Sequence, residues 1–388
     1  MKTLIVIDNL NTGGVASSLY NYLKCTSNKM ECELIVFNET SIDLNRIPKN
    51  VKILKTNKLL HVLGKTHKEI MEESKLMAIY RLILVIISRI FNGNLARKLL
   101  WLYIKEIGTY DLAISYSQDD GWKSLSKGCN DFVLKKVKAN HKAVIIHCDY
   151  KNFGGYNFKQ EKIFKKFDSI ICVSNSCKNS FKECFPDLES KLVVCENFID
   201  VERVKKLSKN AIIYDKEKIN FVSICRLSLV KGLDRTIDIL KELKQEKINN
   251  FTWTIVGEGP EHKRLQKKVE ECGLEDKILF VGEAKNPYKY LKNASALLIT
   301  SIHEAAPMVY GESAVLRVPI VTVENCSAIE LVEERKIGRV IPNDKEGIKD
   351  IIKKILKNNE ILNEFYLINN DVNSNAIKQY NDYISRLK

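Results

Sequence analysis

Short apolar runs alternate with amphipathic stretches along the whole of this chain, and that alternation restricts the fold more than any other feature. In the first half the runs are TLIVID, CELIVF, VKILK, LAISYS, AVIIHC, SIICVS and LVVCEN. In the second they are INFVSIC, FTWTIVG, KILFVG, ALLIT, PIVTV and GRVIP. Runs of this length, apolar on both faces and separated by helical patterns, predict βαβ units and parallel sheets. Polar sequence at 205–218, KKLSKNAIIYDKEK, separates the two sets. A chain of 388 residues with 45% hydrophobic content can fill two cores of ordinary size. The expected organisation is an α/β protein of two domains, the first at 1–205 and the second beginning at 206.

Chemistry concentrates where strands of the second half end. Residues 219–234 run from an apolar strand into Arg226 and then Lys231-Gly232. Two cations just past a strand end can clamp a diphosphate, and Gly232 lets the backbone turn tightly into a helix starting near Leu233. Gly257 opens a Gly-Glu-Gly-Pro turn after the next strand, and KILFVGE repeats strand-then-glycine. After ALLIT comes Glu304 in a loop, then Ala305-Ala306-Pro307 and a helix that contains Glu312. Proline is favoured at a first helical position, so the amides of Ala306, Met308 and Val309 are expected as free donors. Free N–H groups at a helix start attract anions. The pattern reads either as a sugar-nucleotide grip or as a helix with one exposed acid and one loop acid.

RLSLVKGLD, VGEGPEHKRL, FVGE and HEAAPMVYGES, in that order, resemble the C-terminal half of the family 4 retaining glycosyltransferases, which have the GT-B fold. The first half fits more loosely: Thr12-Gly13-Gly14-Val15 follows the first strand, His147 ends AVIIHC, and Asn197-Phe198-Ile199-Asp200 precedes the linker. The resemblance implies two Rossmann-like parallel-sheet domains facing a central cleft, 1–205 and 206–373, with a final helix at 374–388 returning to the first, and transfer of a sugar from a nucleotide-diphosphate donor, UDP-linked, to a lipid-linked or saccharide acceptor. Gly13, Gly14 and Gly257 would border the donor; Arg226 and Lys231 would neutralise the leaving diphosphate. Glu304 and His147 would hold the sugar; the competing reading of His147 is a strand-end cap. Glu312 would accept the ribose hydroxyls. Where many members have Gly-Phe-Pro after the first acid this chain has Ala305-Ala306-Pro307, and Glu324-Asn325-Cys326-Ser327-Ala328 replaces a glycine-rich loop. Both changes fall at the sugar pocket. A sugar-nucleotide epimerase of the same fold, or a catalytically silent sugar-nucleotide or membrane-binding partner, are the competing readings.

No Asp-x-Asp pair occurs, so no metal or other cofactor is expected. The eleven cysteines form no Cys-x-x-Cys pair and several lie inside apolar strands. They read as buried free thiols of a reducing cytoplasm. Met1-Lys2 leads directly into a strand pattern, so no secretory leader is expected. The net charge of +14 has one conspicuous source. Residues 76–105 carry Arg81, Arg89, Arg97, Lys98 and Lys105 and no acid. The run is too apolar for a nucleic-acid surface, and its uncharged stretches fall short of the ~20 residues that span a bilayer. It reads as a peripheral contact with the anionic inner face of the plasma membrane or as a core-packed helix with solvated cations. In the first reading Ile83, Leu84, Ile87 and Ile90 enter the interface while Arg81, Arg89, Arg97 and Lys98 meet headgroups.

Overall fold

The computed structural model describes residues 1–119, 121, 123–152, 157–365 and 371–387. It separates into two compact units, Met1–Phe198 with Asn375–Lys388, and Ile199–Ser374. The first holds strands β1 (Lys2–Ile7), β2 (Glu31–Val36), β3 (Val51–Ile53), β4 (Ile107–Ser115), β5 (Val137–Ile146), β6 (Ser169–Cys172) and β7 (Leu192–Val194). The second holds β8 (Ile219–Ile224), β9 (Phe251–Val256), β10 (Ile278–Gly282), β11 (Ala296–Ile299), β12 (Ile320–Val323) and β13 (Gly338–Ile341). Six helices matter below: α1 (Gly14–Thr26), α2 (Lys75–Ile90), α3 (Gly93–Trp101), α4 (Leu233–Gln245), α5 (Met308–Leu316) and α6 (Ser374–Ser385).

Every expected strand is present, and all pairings between them are parallel. The sheet of the first unit is ordered β3-β2-β1-β4-β5-β6-β7 and that of the second β10-β9-β8-β11-β12-β13. Leu4 to Ile7 are wholly buried, as a strand covered on both faces requires. β4 and β5 begin earlier than their apolar runs suggest, because Ile107–Leu112 pairs with Val137–His141 through several polar residues. In both sheets the chain order reverses once, between β1 and β4 and between β8 and β11. Open parallel sheets bind ligands outside the strand carboxyl ends at such a reversal.

Each unit closes its own core. In the second, α4 buries Leu233, Ile237, Leu240 and Leu243. The indole of Trp253, fully buried on β9, donates to Ser223 Oγ at 2.9 Å, and that hydroxyl donates to the Leu298 carbonyl. In the first, α6 brings Tyr380 against Tyr22 and Phe198, with ring centroids 5.9 and 6.1 Å apart.

The basic stretch folds as a helical hairpin, α2 and α3, broken where the Asn92 side chain caps the second helix by accepting from Leu95 N–H. This corrects the membrane-facing assignment at several residues. Leu84 is fully buried and Ile87 partly so. Arg81 Nε donates to the Val62 carbonyl. Arg97 is 2% exposed; its guanidinium pairs with Asp131 at 2.7 Å and Asp119 at 3.3 Å and donates to the carbonyls of Ser124 and Leu125. A charge so enclosed is a structural clasp. No helix among the described residues is long and apolar enough to cross a membrane.

Candidate donor site

The reversal between β8 and β11 places the segment Cys225–Lys231 beside Thr300–Glu304. Gly232 is left-handed (φ 61°), and a Cβ there would overlap the Thr300 carbonyl oxygen, so only glycine lets the start of α4 rest on the end of β11. Thr236 Oγ1 and Thr300 Oγ1 seal the contact at 2.9 Å. Lys231, in the short turn before Gly232, then reaches Glu304: its Nζ donates to Oε1 at 2.5 Å, and Ser301 Oγ donates to the same oxygen at 2.7 Å. Both side chains keep part of their surface, 21% and 14%. An ammonium has three donors and this one spends a single donor on Glu304.

Arg226 lies on the same loop, exposed, with no hydrogen bond or ion pair to any described residue. The neighbouring Cys225 thiol is pushed up to about 12 by burial, which rules it out as a nucleophile at neutral pH. Gly257 is also required by the packing of the strand exits. It sits at φ 143°, and a Cβ would overlap the Cys225 carbonyl oxygen, just as one at Gly259 would meet Leu227. These glycines let the β9 exit lie on the β8 exit, where Leu227 N–H donates to the Glu258 carbonyl at 2.9 Å.

Pro307 stands one residue before α5 as its cap, so Met308 and Val309 are the first two helical residues. Their amides cannot be paired by the helix's own ladder. Ala306 is half-buried in the approach. Glu312 is buried inside α5, and one of its oxygens accepts the Tyr288 hydroxyl at 2.9 Å. The expected ribose acceptor therefore has a protein partner at one oxygen, a residue that no sequence signal singled out.

Three further residues had no role in the sequence reading. Arg235, on the first turns of α4, donates to the Thr300 carbonyl at 2.6 Å and to Asn343 Oδ1 at 2.5 Å. Asn343 Nδ2 in turn donates to the carbonyls of Glu324 and Ile302. The pair ties the exits of β11, β12 and β13 together around the Lys231–Glu304 contact. Asn325 Nδ2, in the loop that replaces the glycine-rich one, donates to Tyr310 Oη at 3.1 Å and so fixes that loop to α5. Nothing in the local pattern marks these residues, since their partners lie up to 108 positions away.

In the first unit the reversal lies at the exits of β1 and β4. Gly13 precedes α1 and Gly14 begins it, and a Cβ built at either would meet nothing within 4 Å. The fold does not demand glycine there; the glycines leave room. His147 follows β5, with its Nε2–H donating to the Tyr116 carbonyl at 3.0 Å and its backbone N–H to Gln118 Oε1 at 2.7 Å. That geometry assigns the tautomer and leaves Nδ1 as an acceptor. Burial pushes the imidazole down to about 4, so it is neutral at physiological pH. Because the folded value lies below the ordinary 6.5, stability from this site is complete above pH 6.5 and is lost as pH falls through 4. The shift corresponds to at most about 3 kcal/mol. Urea titrations between pH 7 and 4 should show the wild type losing stability more steeply than His147→Gln; parallel profiles would remove the neutral-histidine assignment.

Comparison with known proteins agrees with this architecture. Residues 204–370 match the family model for glycosyl transferases group 1. The poly(ribitol-phosphate) alpha-N-acetylglucosaminyltransferase of Staphylococcus aureus is 26% identical over 249 residues, 61% of this chain and 46% of that protein. A Campylobacter jejuni enzyme, named as an N-acetylgalactosaminyltransferase acting on a diphospho-undecaprenol-linked sugar, is 26% identical over 208 residues, 50% of this chain and 55% of its own. The matches thus span about half the length of these relatives. The crystal structure of Anabaena Alr3699/HepE with UDP and glucose superposes with a TM-score of 0.68 at 16% identity, covering 100% of this chain and 99% of that one. Residues 204–370 are therefore similar to the glycosyl transferases group 1, and the two parallel-sheet units of the chain have the GT-B fold.

Proposed function

We propose that this protein is a retaining, metal-independent glycosyltransferase. It moves a hexosyl or N-acetylhexosaminyl group from a UDP-sugar to a lipid-linked or saccharide acceptor during assembly of a surface polysaccharide such as a capsule, on the cytoplasmic side of the membrane. The observation that carries this reading is the meeting of Lys231 and Glu304, 73 residues apart, at the sheet reversal of the group 1 unit. Arg226 on the same loop adds a second cation, and the first amides of α5 add neutral donors. Together they suit a diphosphate with a sugar attached. The fold is shared with a structure that holds UDP and glucose, and relatives are named for transfer to polymeric or lipid-linked acceptors.

In this reading Arg226 and Lys231 counter the charge that develops on the leaving diphosphate. Glu304 both steadies Lys231 and accepts a sugar hydroxyl. The bond from the anomeric carbon to the diphosphate oxygen breaks while the acceptor oxygen bonds the same face. The acceptor's proton passes to the departing phosphate oxygen. The protein positions and stabilises, and none of its side chains needs to attack. Gly13, Gly14, His147 and Glu312 enter as donor contacts on the family resemblance, His147 through Nδ1.

UDP should raise the unfolding temperature by several degrees, because a ligand at a hundredfold its Kd that binds only the folded state contributes about 3 kcal/mol. Transfer from the UDP-sugar it prefers should survive EDTA. A chain that ignores UDP and every other nucleotide diphosphate, or whose activity disappears with chelator and returns with manganese, would overturn the reading.

A further inference from the structure

The α2–α3 hairpin carries an apolar face that no described residue covers. Leu76, Ile79, Ile83, Ile86 and Ile90 are spaced alternately three and four apart, which puts them on one side of α2. All five are exposed, Leu76 by 80% and Ile90 by 65%. The helix meets the rest of the first unit through other residues, with Ala78, Leu84 and Ser88 buried. On and after α3, Leu95, Leu99 and Leu102 are also exposed, the last by 76%. An exposed apolar array of this length on a soluble surface calls for an occupant.

The charge around it indicates which. From Lys75 to Lys105 the sequence contains no aspartate or glutamate. With Arg97 taken into its buried clasp and Arg81 partly buried, the exposed cations are Lys75, Arg89, Lys98 and Lys105. Two copies of the hairpin placed face to face would bring these cations towards one another. An anionic lipid surface, by contrast, takes up the isoleucine and leucine side chains and neutralises the cations at its rim.

We propose that this hairpin is the membrane-docking surface of the protein, lying in the plane of an anionic lipid leaflet. The inference deepens the transferase reading by naming the partner of the first unit, and rests on that reading for the lipid-linked acceptor alone. The docking helix is not loosely attached. Arg97 on α3 holds the carbonyls of Ser124 and Leu125 and the carboxylates of Asp119 and Asp131, so the lipid contact is fixed to the segment that follows β4.

Co-sedimentation of the full chain with phosphatidylcholine vesicles, with and without phosphatidylglycerol, tests this. Wild type should bind the anionic vesicles strongly and the neutral ones weakly, with binding falling as salt rises. Replacing Arg89, Lys98 and Lys105 by glutamine should reduce anionic-vesicle partitioning by about a hundredfold, from roughly 1 kcal/mol per cation at tenfold per 1.4 kcal/mol. Ile83→Ser with Ile86→Ser and Ile90→Ser should reduce it at least as far. Both variants should keep the wild-type unfolding temperature and its UDP-induced rise, since all six side chains are exposed. Equal binding to neutral and anionic vesicles, no binding to either, or unchanged binding by the isoleucine variant would overturn the docking surface. So would a dimer, seen by light scattering, that the isoleucine variant dissolves. Loss of the UDP response in the wild type would instead strike the transferase reading and leave the vesicle result standing on its own.

Discussion

Lys231→Ala should lower turnover by on the order of a hundredfold or more, the usual consequence of removing one preorganised charge from a developing anion. Arg226→Ala should have an effect of similar size. The two differ in what else they disturb. Arg226 is exposed and makes no hydrogen bond or ion pair with any described residue, so its loss should leave the unfolding temperature where it was. Lys231 is bonded to Glu304, and its loss leaves a partly buried carboxylate with Ser301 as its hydrogen-bond donor. The pair should therefore be strongly coupled. In a double-mutant cycle, Lys231→Ala with Glu304→Gln should cost far less than the two single changes added together. Arg226→Ala with Glu304→Gln should be closer to additive. Near-normal turnover in either alanine variant, measured with the preferred UDP-sugar, would refute the clamp.

Arg97→Met should be the most destabilising single change in the first unit, by about 3–5 kcal/mol, because it takes the buried cation from Asp119 and leaves Asp131 with Lys135 alone. Asp119 and Asp131 are 7% and 3% exposed. Burial raises Asp119 to about 6 even with the guanidinium beside it. Adding Asp119→Asn and Asp131→Asn to Arg97→Met should restore much of the loss, since no stranded charge then remains. Chemical unfolding of the single and triple variants reads this directly. A role for Arg97 at lipid headgroups makes the opposite forecast, unchanged stability with weaker vesicle binding, and that outcome would remove the clasp.

Arg97 and Arg89 show what a linear reading can and cannot resolve. Both lie in a basic, apolar stretch, and by composition they are equivalent. One is enclosed by carboxylates that follow β4; the other faces solvent. The difference depends on which face of the hairpin meets the sheet, and on partners 22 and 34 positions away. Gly257 and Gly232 make the same point. Each follows a strand, and in the linear pattern Gly257 reads as a donor contact and Gly232 as a tight turn into a helix. Both are explained by close approach of one strand exit to another, at Cys225 and at Thr300.

The sequence alone determined the strands, their division into two sets, and the cluster of charged and glycine residues after β8, β9 and β11. These are local matters: apolar runs covered on both faces must become sheet interior, and a turn between strand and helix declares itself through glycine, proline and charge. Tertiary structure decided which distant charges meet. Lys231 found Glu304, Arg235 found Asn343, Glu312 found Tyr288, and Arg97 found its two aspartates. Such pairings follow from the order in which strands are laid into a sheet, and a charge buried by that order must be matched wherever its partner lies in the chain.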